Sequence, residues 1–313
     1  MSIAGLFPGQ GSQSIGMLAE LSDSFPVVGE TFREASDVLG RDLWLIAQYG
    51  PDAEINNTEN TQPLMLAAGV ACLRVWQQQK GAAPTALAGH SLGEYSALVA
   101  ADVLTFADAV KLVGERARLM QNAVPAGEGA MAAILGLDDE QIVAACAVAA
   151  QGDVVEAVNF NSPGQVVIAG SAAAVARAIV TTTEAGAKKA IPLPVSVPSH
   201  CALMKPAAEQ LLSQLAEITF SAAQVPVLHN IDAASRDTAE STRDALAQQL
   251  YRPVRWVDTI KSLQNDHQAT VMIEFGPGRV LTGLNKRIER RMKAAAVFDN
   301  ASLEAALKLS EEA

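Results

Sequence analysis

Gly89-His90-Ser91-Leu92-Gly93 stands between the short apolar run Ala86-Leu87-Ala88 and the helix-forming run Glu94-Tyr95-Ser96-Ala97-Leu98-Val99. Gly-x-Ser-x-Gly between a strand and a helix is the pattern of a nucleophile elbow. The reason is steric. A serine on so sharp a turn is held in a strained backbone geometry, and the flanking positions must lack side chains that would collide. Its hydroxyl is exposed at the strand tip, beside the first N–H groups and the positive dipole end of the next helix, which suit a developing oxyanion. The same residues also fit a glycine-rich connection with an incidental serine. A catalytic reading therefore requires the remaining chain to supply a base, an oxyanion partner and a grip on the substrate.

Upstream, residues 3–7 form an apolar strand that ends at Pro8-Gly9-Gln10-Gly11-Ser12-Gln13, a loop able to present backbone N–H groups to a ligand. Its spacing fits neither a Walker loop nor a dinucleotide fingerprint. Helical patterns follow over 27–39 and 60–79, the second apolar on most sides and so buried against a sheet. Downstream of the elbow, 106–124 is helical and contains Arg116 and Arg118. An arginine in such a helix ordinarily snorkels to the surface.

After Pro125-Ala126-Gly127-Glu128 the pattern changes. A strand over 130–135, a helix over 138–150 and a strand over 154–160 are followed by a turn at Asn161-Ser162-Pro163-Gly164. A strand over 165–169, a helix over 172–184 and a strand over 189–193 complete the run. This β-α-β-β-α-β order is that of a split βαβ, or ferredoxin-like, unit. Beyond it, helices over 203–218, 241–251, 254–263, 280–292 and from 302 alternate with strands over 226–229, 270–275 and 295–298. Such alternation predicts a mostly parallel sheet with helices on both faces. The expected architecture is α/β, with a large subdomain (1–124 and 198–313) interrupted by a small ferredoxin-like subdomain (125–197).

The bulk properties narrow the function classes. Half of the 313 residues are hydrophobic and 18% are charged, so a large buried core is expected and disorder is not. No apolar run reaches the length of a membrane span, and the N-terminus lacks the basic start of a secretory signal. Cys72, Cys146 and Cys201 make neither a disulfide framework nor a zinc spacing, which fits a reducing, cytoplasmic setting. A net charge of −11 argues against nucleic acid as a partner. An acidic partner would have to meet a local basic patch.

A serine hydroxyl needs a base at neutral pH, usually histidine. His90 adjoins Ser91 and leaves the turn in another direction, whereas His267 reads as a solvated loop residue. His229 ends a short strand, as either a structural or a near-pocket residue. His200, in Val197-Pro198-Ser199-His200-Cys201, lies on a proline-stiffened segment where the chain re-enters the large subdomain. Stiff junctions hold side chains well, so His200 is favoured over His229. Among Glu94, Asp232 and Glu274, no carboxylate stands out as the third member of a triad. A carbonyl acceptor would orient the imidazole without repelling an anionic substrate.

Five segments now make a specific pattern in chain order: Phe7-Pro8-Gly9-Gln10-Gly11-Ser12-Gln13, Gly89-His90-Ser91-Leu92-Gly93-Glu94-Tyr95, Asn159-Phe160-Asn161-Ser162-Pro163-Gly164-Gln165, Val197-Pro198-Ser199-His200 and Glu274-Phe275-Gly276-Pro277-Gly278. Across nearly the whole chain the sequence resembles the malonyl-CoA:acyl-carrier-protein transacylases, in their stand-alone bacterial form serving fatty acid synthesis. The resemblance implies a hydrolase-like large subdomain with a ferredoxin-like small one. It implies Ser91 as the acylated nucleophile, His200 as its base and the main-chain carbonyl of Gln249 as the acceptor that orients the base. It further implies an oxyanion hole from the N–H groups of Gln10 and Leu92, and Arg116 as the grip on the free carboxylate. Gln62 and Asn161 fall beside the pocket, with Met120 and Val197 as apolar walls or ordinary core. The implied partners are malonyl-CoA and acyl carrier protein, in a ping-pong exchange that needs no metal or redox cofactor. Lys286, Arg287, Arg290, Arg291 and Lys293 repeat at helical spacing and are the candidate docking face for the carrier. A serine esterase or thioesterase, the malonyl-transfer subunit of a malonate decarboxylase and a catalytically silent carrier-binding module are the competing readings.

Overall fold

Phe7 lies opposite Gly89 in a parallel register, and this pairing decides where the chemistry sits. The computed structural model describes residues 2–195 and 197–311. Its strands are β1 (Ile3–Phe7), β2 (Ala86–Gly89), β3 (Gly129–Leu135), β4 (Val155–Ser162), β5 (Gln165–Ser171), β6 (Lys189–Pro192), β7 (Val227–Leu228), β8 (Val271–Phe275) and β9 (Lys293–Val297). One sheet has the order β7-β2-β1-β8-β9, with every pairing parallel. β1 and β2 are parallel neighbours, so the loop after Phe7 and the elbow after Gly89 leave the carboxyl end of the sheet side by side. Crevices at the carboxyl ends of parallel strands are where such sheets bind ligands.

Helix Thr58–Gln78 packs behind this sheet and is buried along nearly its whole length, as its apolar pattern predicts. Pro63 interrupts its ladder, because proline cannot donate to the carbonyl of Glu59. The Arg41 guanidinium takes that carbonyl at 2.5 Å, so the helix continues without an orphaned acceptor.

The second sheet, β4-β5-β3-β6, is antiparallel, with helices Asp139–Ala150 and Ala172–Glu184 packed on one face. That is the strand order of the ferredoxin-like unit. The other face, through Met131, Val158, Val167 and Ala169, packs on Cys201 beside His200. Val254 ties the two sheets together, exchanging backbone hydrogen bonds with Val158 and Phe160 of β4. This use of Val254 also explains why the helix expected over 254–263 begins only at Trp256.

Two other expectations are corrected. Asn161 and Ser162 belong to β4, and only Pro163 and Gly164 form the turn. The helix expected over 280–292 is Val280–Ile288: Glu289 turns extended and ends it with its N–H on the Asn285 carbonyl. Arg290 and Arg291 therefore lie in the connection to β9, and Lys293 opens that strand. The five basic residues are all exposed but do not form one helical face. Among the described residues, no helix is long and apolar enough to cross a membrane.

Candidate active site

The elbow is as tight as its sequence requires. A Cβ on Gly89 would meet the Gly93 carbonyl carbon at 1.9 Å, and one on Gly93 would meet the Phe7 carbonyl oxygen at 2.0 Å. Ser91 between them has φ 51°, the left-handed region that a non-glycine residue occupies at a cost of about 1–3 kcal/mol. Asn230 holds it there: its Oδ1 accepts from the Ser91 N–H at 2.6 Å, and its Nδ2 donates to the Gly89 carbonyl at 2.6 Å.

Ser91 Oγ lies 2.7 Å from His200 Nε2, and His200 Nδ1 lies 2.7 Å from the Gln249 main-chain carbonyl. A carbonyl can only accept, so Nδ1 carries the proton and Nε2 offers its lone pair to the serine hydroxyl. His200 is also left-handed, at φ 67°, and its N–H is held by the Leu250 carbonyl. Burial, followed by the nearby Arg116 charge, pushes the His200 imidazole down to about 3, against the opposing bond to Gln249. The imidazole is therefore neutral at neutral pH, with Nε2 free to accept from the serine hydroxyl. Since kcat/KM reports free-enzyme titrations, kcat/KM for acylation should stay level from pH 8 down to about pH 5. A fall centred on the ordinary histidine value of about 6.5 would contradict this environment.

Arg116 and Arg118, alike in sequence, part company in the fold. Arg118 is exposed and pairs with Glu115 at 2.6 Å, the ordinary surface outcome. Arg116 is 1% exposed, with NH1 on Gln62 Oε1 at 2.7 Å and NH2 on Gln249 Oε1 at 2.9 Å. The same NH2 comes within 3.4 Å of Ser91 Oγ. Held by two neutral amides, over the Tyr95 ring and beside Ser91 Oγ, the guanidinium has no carboxylate partner among the described residues, a setting that suits a small anion.

The cleft around these groups has a volume of about 410 Å³, within the range of small-molecule sites. Met120 and Val197 line it and are buried, so each is both wall and core. Gln10 comes from the loop after β1, and Leu92 follows the nucleophile. Among the described residues, neither main-chain N–H is spent on a protein acceptor. Asn161 Oδ1 lies 2.7 Å from His90 Nε2, and the His90 ring rests against Trp256 at 5.5 Å. His90 is thus turned away from Ser91, and burial lowers its basicity. Among the described residues, no group of three or more His, Cys, Asp and Glu side chains is arranged to hold a metal ion.

A layer that the sequence reading misses lies beneath the elbow. Glu94 is fully buried and accepts from His229 Nδ1 at 2.7 Å, from the Asn230 N–H at 2.9 Å and from Gln249 Nε2 at 2.9 Å. His229 is bound to Glu94 here, and the imidazole at Ser91 Oγ is that of His200. Glu274 is bound to the N–H groups of Leu281 and Thr282 at the start of helix Val280–Ile288, far from a triad role. Asp232 pairs with Arg236 near the surface. The one signal for Glu94 in the sequence is a carboxylate within an otherwise apolar elbow helix.

Comparison with known proteins places this geometry. The acyl transferase domain family matches residues 6–302. Malonyl CoA-acyl carrier protein transacylase of Escherichia coli K12 is 57% identical over 304 residues, spanning 97% of this chain and 98% of the relative. Its counterpart in Bacillus subtilis is 45% identical over 99% of this chain and 98% of the relative. Among solved structures, an acyl carrier protein S-malonyltransferase from Vibrio cholerae has a TM-score of 0.94 at 57% identity, covering 97% of this chain and 99% of that one. A malonyl-transacylase in complex with its type II PKS acyl-carrier protein has a TM-score of 0.97 at 56% identity, covering 99% of this chain and 100% of that one.

Proposed function

The chain belongs to the acyl transferase family, and from that premise we propose that it moves the malonyl group from malonyl-CoA to the phosphopantetheine thiol of an acyl carrier protein through a malonyl-serine intermediate. The observation that carries this reading is the Ser91–His200 pair with the Arg116 guanidinium within 3.4 Å of the nucleophile. Malonate places a carboxylate one methylene beyond the reacting carbonyl. A guanidinium beside Ser91 Oγ is therefore where that carboxylate must go.

In the first half-reaction Ser91 Oγ attacks the thioester carbonyl while His200 Nε2 takes its proton. The N–H groups of Gln10 and Leu92 receive the oxyanion. The C–S bond breaks, and the imidazolium returns the proton to the departing CoA thiolate. In the second half-reaction His200 takes the proton of the carrier thiol, and its sulfur attacks the Ser91 ester. The ester C–O bond breaks and Ser91 recovers its hydroxyl. Gln249 holds the imidazole through its main-chain carbonyl, so among the described residues no carboxylate is hydrogen-bonded to His200. The product supplies fatty acid synthesis, in a cytoplasmic setting consistent with three free, buried cysteines. The division into subdomains 1–124 with 198–313 and 125–197 follows the two sheets.

Mixing the protein with malonyl-CoA alone should raise its intact mass by one malonyl group. Rapid hydrolysis without accumulation would instead favour a serine esterase. No labelling by malonyl-CoA or by a serine-directed phosphonate would leave only a carrier-binding role.

Carrier docking is assigned to the basic cluster on and after helix Val280–Ile288. Val280, Leu281 and Leu284 of that helix line the cleft, and Arg287 reaches Gln165 across its mouth at 2.5 Å. Lys286→Glu with Arg290→Glu should lower transfer to the carrier about tenfold or more, with acylation by malonyl-CoA unchanged. Equal carrier transfer in the variant would place the docking surface elsewhere.

A further inference from the structure

Gln249 has two separable jobs. Its main-chain carbonyl holds His200, whereas its side-chain amide faces Arg116 with Oε1 and turns Nε2 away. An amide can be inserted either way round, and the reverse orientation would set an NH2 against the guanidinium. Two acceptors prevent that reversal: the Ser91 carbonyl at 2.9 Å and Glu94 Oε2 at 2.9 Å, both taking a hydrogen bond from Gln249 Nε2. Glu94 is in turn held at the elbow's far side by the His229 ring and the Asn230 N–H.

We infer that Glu94 is a positioning residue for substrate selection: it fixes the direction of the Gln249 side-chain amide, and so the aim of the Arg116 guanidinium at the free carboxylate of the acyl group. The chain of contacts runs from the elbow helix through one amide to the arginine. His200 keeps its own acceptor on the Gln249 backbone. Loss of Glu94 should therefore act first on the choice between charged and uncharged acyl groups. This inference rests on the malonyl-transfer reading above, with Arg116 as the carboxylate grip.

Two substitutions isolate the effect. Glu94→Met keeps the length of the side chain but removes both acceptors. Gln249→Ala removes the amide while leaving the main-chain carbonyl under His200. Acylation of Ser91 by malonyl-CoA and by acetyl-CoA, each followed by intact mass, should show the malonyl-to-acetyl rate ratio falling about tenfold in either variant. The double variant should fall no further than the singles, since Glu94 acts through Gln249. Glu94→Gln should restore most of the ratio: its amide oxygen can still accept from Asn230 and Gln249, and its NH2 can face His229 in the other tautomer.

A Glu94→Gln ratio as low as that of Glu94→Met would overturn the inference and make Glu94 a counter-charge for Arg116. Equal losses for both acyl donors, or losses that multiply in the double variant, would reduce Glu94 to a fold determinant. Should Glu94→Met fail to fold, Gln249→Ala alone decides, an unchanged ratio refuting the role of the amide. The wild-type protein in the same assay separates this failure from that of the function. If malonyl-CoA leaves wild-type Ser91 unlabelled, the malonyl-transfer reading falls first.

Discussion

Ser91→Ala is expected to abolish the malonyl mass gain and to lower carrier transfer by about 10⁴-fold or more, the scale seen when a serine nucleophile is removed from its base and oxyanion site. The substitution deletes one oxygen, at 2.7 Å from His200 Nε2, and leaves the surrounding bonds intact. The Asn230 bond to residue 91 is made by the main chain, so the elbow keeps its clamp. Folding and stability should change little, which a thermal melt run beside the mass measurement will check. A labelled Ser91→Ala protein would show that another residue carries the acyl group and would sink the assignment.

Arg116→Ala should lower kcat/KM for malonyl-CoA by about 10²–10³-fold while changing acetyl-CoA by less than about tenfold. Truncating one side of a buried, hydrogen-bonded charge pair commonly costs about 2–5 kcal/mol. Without the guanidinium, the substrate carboxylate would sit against buried side chains with no opposite charge beside it, and burying an unpaired charge is strongly unfavourable. Acetyl carries no such group. The variant also frees the side-chain oxygens of Gln62 and Gln249, so some loss of stability is expected whatever the substrate. The ratio between the two acyl donors is therefore the decisive measurement. Equal losses would make Arg116 a structural residue.

Much of this site could be read from residue order, because the elbow and the loop after β1 are local features. Their steric rules act on neighbouring residues, and the strand-to-helix pattern around Ser91 shows directly in hydrophobicity. His200 required a further argument about a stiffened junction, and the fold places it on Ser91. The choice between Arg116 and Arg118 was not available from periodicity, since both lie in one helix. Burial against helix Thr58–Gln78, whose Gln62 receives the guanidinium, separates them. Glu94, His229 and Asn230 were illegible as a group because more than a hundred residues separate the elbow from its partners. The single helical face expected for the basic cluster failed for the opposite reason. Helical spacing was extended past Ile288, where the chain instead turns to begin β9.

Both residues proposed to react, Ser91 and His200, occupy left-handed backbone conformations that their own side chains disfavour. Neither would adopt that shape in an isolated segment. Each is kept there by a partner from a distant part of the chain, Asn230 for the serine and Leu250 for the histidine. Chemical competence and completion of the fold are thus one event. A chain in which these contacts are open is expected to hold Ser91 as an ordinary hydroxyl that takes up no malonyl group from malonyl-CoA. Malonyl labelling should then recover during refolding only once Asn230 and Leu250 have taken up these contacts.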